Sequence, residues 1–222
     1  MIPLKPFAIQ YSDHTSKEAS AIIQYCIMER HPYKMVKETK SIHENFIPVG
    51  SVEFCIEYLG VKVTPDYYPD FLKEHLHREV YRTSEWPLNK KVFIKPSDKY
   101  KRFNGFITNG GYRKKKKPPY WCSEVVDFVN EWRYYVSNGE ILTGEWYYGD
   151  EINTPNAPEI SLNLPEGYCG CIDFGELSNG NMALVEAQHP FACGWYGKDY
   201  NKYTEWIVNG WEYMLKYKET VT

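Results

Sequence analysis

The chain is 222 residues long, enough for one large domain or two small ones around a sizeable core. With 26 basic and 29 acidic residues its net charge is −3, which excludes a generally basic nucleic-acid coat. A hydrophobic share of 43% excludes disorder as the main state, and the aromatic share of 17% implies large half-buried surfaces whose Tyr and Trp tips want polar partners. No segment approaches the roughly 18 uninterrupted apolar residues that span a bilayer, and the N-terminus lacks a signal-sequence pattern. A cytoplasmic protein with no membrane partner is the expectation. The six Cys form no CxxC pair, so buried thiols are expected.

In chain order, PFAIQYS suits a strand, and Ser16 then caps a helix over KEASAIIQYCIMERH. KMVKET is a short strand. In FIPVGSVEFCIEYLGV, Gly50 supplies a turn, Ser51 an N-cap, and Gly60 the stop of a second helix. DYYPDFLKEHLHREVYR reads as a further helix or two. This first part, residues 1–87, has α/β character without a dinucleotide glycine fingerprint.

From residue 91 the rhythm becomes that of strands: KKVFIKP, NGFITNG, then SEVVDFV leading into NEWRYYV. Asn138-Gly139 and Asn179-Gly180 each separate two apolar–aromatic runs, which predicts two hairpins in one antiparallel sheet over residues 91–190. Residues 151–168 form a Pro- and Asn-rich loop. TEWIVNGWEYMLKYKE is a terminal helix burying Trp206, Ile207, Trp211 and Leu215, with Gly210 as its weak point.

If Asn179 and Gly180 are the two central residues of a type I′ turn, opposed residues sum to 359, and Asp173 faces Glu186. Two opposed carboxylates repel unless something positive lies between them. Gln188 shares the face of Glu186, and this oxygen set suits a hard divalent cation such as Mg²⁺. A solvated acidic strand face explains the same residues. Glu131, Arg133 and Tyr135 alternate onto one face of the first hairpin; a carboxylate there suits ribose hydroxyls and an Arg suits phosphate, although a surface ion pair is the plainer reading. Lys95 ends the strand VFIKP ahead of a polar, basic loop holding Lys99 and Lys101, a place for phosphates. Trp132, Tyr134 and Phe174 alternate with these residues and should form the opposite, packed face.

Taken in order, PVGSVEF (48–54), FIKP (93–96), SEVVDFVNEWRYYV (123–136) and IDFG with LVEAQ (172–188) resemble the ATP-grasp superfamily. Within it they are most similar to small phage and bacterial proteins regarded as predicted amide-forming ligases. The resemblance implies an α+β fold, with two α+β subdomains whose antiparallel sheets sandwich ATP. A small α/β domain at 1–87 would precede an ATP-grasp domain at 88–222, with a hinge near 124–127. It implies that Lys95, with Lys99 and Lys101 of the following loop, holds ATP phosphates, and that Glu124 and Val126 meet the adenine edge. Glu131 would bind the ribose, and Asp173, Glu186 and Gln188 would hold Mg²⁺.

Gln188 stands where Asn is usual, and Cys171 where relatives often carry an Arg; either Arg133 or a loop cation then supplies that catalytic charge, or the acceptor chemistry differs. Arg78, Arg82 and Lys90 compete for the role of the upstream basic residue. The implied reaction is ATP- and Mg²⁺-dependent joining of a small-molecule or peptide carboxylate to an amine through an acyl-phosphate, with the 98–105 loop closing over the phosphates. His189, after the metal strand, is either structural or a base on the substrate side. Two alternatives stand beside this reading. One is a nucleic-acid-binding module using the basic and aromatic run at 113–121. The other is an ATP-grasp fold that has lost catalysis and serves as an interaction protein.

Overall fold

The computed structural model describes residues 5–12, 15–42, 45–111 and 116–222. Three parallel strands open the chain: β1 (Phe7–Gln10), β2 (Tyr33–Val36) and β3 (Ile47–Val49), in the order β2-β1-β3. A central parallel strand needs apolar residues on both faces, and Phe7, Ala8 and Ile9 are fully buried. Helix α1 (Lys17–Glu29) makes the crossover, its first turn capped by Ser16 accepting from the Ala19 amide at 3.3 Å. Helix α2 (Val52–Leu59) follows β3, with Ser51 as its cap and Gly60 in the left-handed conformation at its end.

The stretch expected to be helical at 66–82 is mostly not. A short 3-10 helix covers Asp70–His75, and β4 (Val80–Thr83) follows. Pro65 and Pro69 bracket Tyr67 and Tyr68, and each proline disfavours the helical conformation in the residue before it. β4 lies before residue 88, yet it joins an antiparallel sheet of order β4-β7-β5-β6 with β5 (Val92–Pro96), β6 (Phe106–Thr108) and β7 (Tyr120–Ser123). Trp86, Val92, Ile94, Tyr120 and Cys122 form the small core of this sheet.

Residues 124–127 then cross to a separate sheet, so the single sheet expected over 91–190 is in fact two. The second has the order β11-β10-β8-β9, from β8 (Phe128–Ser137), β9 (Glu140–Tyr148), β10 (Gly170–Leu177) and β11 (Met182–Gln188). One of its faces buries Trp132, Tyr134 and Phe174, as expected, and the 151–168 coil covers it through Pro155 and Pro158 carbonyls that accept from Trp132 and Tyr134. On the other face Tyr135 packs edge-on against Trp195, Tyr203 and Trp206. The last two belong to α3 (Tyr200–Val221), which also lies against α1. All six cysteines are free and buried, and among the described residues no helix is long and apolar enough to cross a membrane.

Candidate active site

The two hairpins share an Asn-Gly signal but not a turn. Asn138 and Gly139 both have positive φ, 53° and 82°, and Ser137 pairs with Glu140, a two-residue type I′ loop. In the β10–β11 hairpin only Gly180 is left-handed (φ 83°), and the Leu177 amide bonds the Asn181 carbonyl across a three-residue loop. Phe174 therefore pairs with Leu184, one position away from the expected register. A β-bulge between Asp173 and Phe174 then inserts Val185, and Asp173 returns to face Glu186. The expected juxtaposition is present, reached through two shifts that cancel.

The positive charges that this arrangement needs are both there. Arg133, opposite Asp173 on β8, donates from Nε and Nη2 to its two carboxylate oxygens at 2.8 and 2.7 Å. Lys95, reaching over from β5, donates to Glu186 Oε2 at 2.6 Å. Its ammonium also lies 3.8 Å from the Tyr67 ring centroid and 4.6 Å from that of Tyr68. Gln188 donates its amide to Glu186 Oε1. A second bulge, in β9, makes Tyr147 the extra residue, and its hydroxyl bonds Glu131 and reaches Asp173 at 3.4 Å.

Burial pushes the Asp173 carboxyl above the usual range, and the Arg133 guanidinium only partly offsets this. Glu131 is likewise raised by burial, with the Tyr147 hydrogen bond opposing. For Glu186 burial acts upward too, but the charge and hydrogen bond of Lys95 outweigh it and the group is lowered. Burial depresses the His189 imidazole below its ordinary value; its Nε2 lies 3.3 Å from the Thr64 carbonyl and its ring stacks on Phe191.

Lys95, Glu124, Val126, Glu131 and Glu186 line one cavity of about 220 Å³ between the two antiparallel sheets, with Phe93, Ile107 and Phe128 as apolar wall. Asp173, Arg133 and Gln188 join it through Glu186, Glu131 and Tyr147. Lys99 and Lys101 do not line it. Tyr100 between them is buried against Tyr67, His189 and Phe191, which throws its neighbours outward. Lys99 faces a separate cavity of about 400 Å³ beside α2, and Lys101 is exposed.

Of the upstream basic residues, Arg78 lines the site cavity, Arg82 bonds Ser97, and Lys90 pairs with Glu79 at the surface. Sequence reasoning misses Tyr147 and Tyr67 and leaves Arg78 as one of three; the prolines around Tyr67 are the one available signal. Of the basic run, Arg113, Lys114 and Lys115 lie outside the described residues, and the Lys116 carbonyl accepts from Tyr120.

The donor chemistry fits Mg²⁺ and a nucleotide. Among the described residues no three His, Cys, Asp or Glu gather to hold a metal; the set is two carboxylates and an amide oxygen. Mg²⁺ is commonly held by one or two carboxylates with substrate phosphates completing its oxygen shell.

Residues 71–206 match a family described as an ATP-grasp domain, the second family of its clade. The chain belongs to that ATP-grasp family. Its fold is that of N5-carboxyaminoimidazole ribonucleotide synthetase from Thermotoga maritima, at 12% identity and a TM-score of 0.53 over 92% of this chain and 75% of that one. The N5-carboxyaminoimidazole synthetase of Staphylococcus aureus is as similar, at 10% identity and a TM-score of 0.53 over 93% and 77%. No protein of curated function matches the sequence significantly. The α+β ATP-grasp architecture is thus shown.

Proposed function

We propose that this ATP-grasp protein is an ATP- and Mg²⁺-dependent carboxylate–amine ligase working through an acyl-phosphate. The observation that carries the reading is the convergence of Lys95, Glu124, Val126, Glu131 and Glu186, from two separate sheets and the segment that joins them, on one cavity with Asp173 opposite Glu186. The inter-sheet segment at Glu124–Val126 offers a carboxylate and backbone groups to an adenine edge, and Glu131 accepts from ribose hydroxyls. Lys95, now on Glu186, is the one buried ammonium within reach of phosphates entering that cavity among its described lining residues.

Asp173, Glu186 and Gln188, the last with its amide turned to present oxygen, would hold Mg²⁺, which supplies charge neutralisation for the phosphates. Asp173, once turned to that role, frees Arg133, whose fork suits the carboxylate and the oxyanion formed when an amine attacks. The amide bond forms as the amine nitrogen attacks the acyl carbon and phosphate leaves; the protein contributes positioning and exclusion of water.

The test is ATP turnover, read as phosphate release with amino acids and peptides offered as acid and amine. Lys95→Ala and Glu186→Ala should each abolish turnover in protein that circular dichroism shows to be folded. Undiminished turnover in both would sink the reading.

A further inference from the structure

We propose that Arg78 is the positioning residue of the metal-ligand strand: its guanidinium holds the β-bulge that turns Glu186 and Gln188 onto the face of Asp173. The inference rests on the ligase reading for what that face does, but its structural part stands on the hairpin alone. The three-residue loop sets opposed residues to the register Phe174–Leu184, Gly175–Ala183, Glu176–Met182. Continued without interruption, that register opposes Glu186 to Ile172. Because side chains alternate with period two, Glu186 would then fall on the packed face of Ile172 and Phe174, and Gln188 with it. The inserted Val185 is what reverses this.

A bulge leaves backbone groups without ladder partners, and β11 is the edge strand of its sheet, so nothing in the sheet can satisfy them. Arg78 does so. Its Nη1 donates to the Leu184 carbonyl at 2.5 Å and its Nη2 to the Val185 carbonyl at 3.3 Å, the two consecutive carbonyls at the insertion. The same Nη1 donates to Leu76 at 3.1 Å, and the guanidinium lies 5.9 and 5.5 Å from the ring centroids of Tyr68 and Phe128. Phe128 in turn occupies the space above Gly175, where an added Cβ would stand 2.2 Å from its ring. Two residues beyond Val185, the Ala187 amide bonds the Tyr67 carbonyl at 2.8 Å, so the 67–78 segment closes the outer edge of β11 on both sides of Glu186. A rigid planar fork meets two carbonyls with its donors already placed, whereas an ammonium carries its donors on one nitrogen at the end of a flexible stem.

The experiment compares the full chain with Arg78→Met and Arg78→Lys, with folding checked by circular dichroism. Backbone NOEs pairing Asp173 with Glu186 report the bulge directly. Mn²⁺ affinity in the presence of ADP, measured by electron paramagnetic resonance, reports the ligand face, and ADP affinity in EDTA reports the nucleotide cavity that Arg78 also lines. The Met variant should lose the 173–186 NOEs and bind Mn²⁺ about 10-fold or more weakly, the usual cost of removing a partner that orients a ligand. Its ADP affinity in EDTA should fall less than its Mn²⁺ affinity, since Arg78 also lines the nucleotide cavity. The Lys variant should share the Mn²⁺ defect, and it carries the comparison alone should the Met variant fail to fold. Intact NOEs with unchanged Mn²⁺ affinity would overturn the proposal. So would a loss confined to ADP affinity in EDTA, which would make Arg78 a phosphate contact. If the unaltered protein binds no Mn²⁺ with ADP, the ligase reading fails, and the NOEs alone decide the role of Arg78.

Discussion

Asp173 has a side chain only 3% exposed and a guanidinium on both carboxylate oxygens, with Arg133 itself 10% exposed. Burying both charges is costly, and their attraction only offsets that cost while the geometry stays intact. Removing one partner leaves the other charge stranded. Arg133→Met should therefore destabilise the nucleotide-free protein by about 3–5 kcal/mol, a fall in Tm of at least about 6 °C for a chain of this size. Arg133→Met combined with Asp173→Leu should recover most of that, because no unpaired charge remains. A double-mutant cycle by thermal denaturation checks this. A double variant as unstable as the single one would show that the loss comes from packing. The same pair explains how a raised Asp173 on β10 and a buried Arg133 on β8 coexist where the sequence alone suggested an ordinary surface ion pair.

Among the elements, α3 and the β10–β11 hairpin show what local pattern can and cannot carry. Gly210 looked like a weakness in a helix, yet a Cβ there would stand 2.5 Å from Pro190 Cβ and 3.0 Å from the Pro190 carbonyl. The missing side chain lets α3 approach the residues that follow β11. Gly210→Ala gains about 1 kcal/mol of helix propensity but overpacks a contact with a rigid ring and backbone, at about 1–3 kcal/mol. The variant should be less stable by about 1 kcal/mol in urea unfolding; a more stable one would mean that the contact yields freely.

Helix caps at Ser16 and Ser51, the stop at Gly60 and the type I′ turn at Asn138-Gly139 were legible because each depends on a few adjacent residues. The face holding Asp173 and Glu186 was legible only in outcome. The carbonyls at its Val185 bulge are bonded by Arg78 and the Ala187 amide by Tyr67, both over a hundred residues away in sequence. That Lys99 and Lys101 lie off the site cavity was hidden for a similar reason, since the burial of Tyr100 among Tyr67, His189 and Phe191 is a tertiary fact.

At the scale of the whole molecule, the Lys95–Glu186 bridge ties the β4-β7-β5-β6 sheet to the β11-β10-β8-β9 sheet across the cavity between them. Each carboxylate that would hold Mg²⁺ is held by a cation instead, Glu186 by Lys95 and Asp173 by Arg133. Mg²⁺ alone must displace both cations from buried partners and leave them unpaired. ATP alone must draw Lys95 away while adding a triphosphate beside two carboxylates that have lost a neutralising charge. Together, the phosphates take Lys95 as Glu186 and Asp173 turn to the metal, and of the four buried charges only Arg133 is released, to the substrate side. Binding should therefore be strongly synergistic. A ligand at a hundred times its Kd stabilises the folded state by about 2.7 kcal/mol, which raises Tm by about 5–10 °C in a chain of this length. Thermal denaturation with ATP in EDTA, with Mg²⁺, and with both should show that rise only for the pair. Equal shifts with ATP alone and with Mg·ATP would mean that the two ion pairs do not guard the site, and no shift with Mg·ATP would favour a fold without nucleotide chemistry.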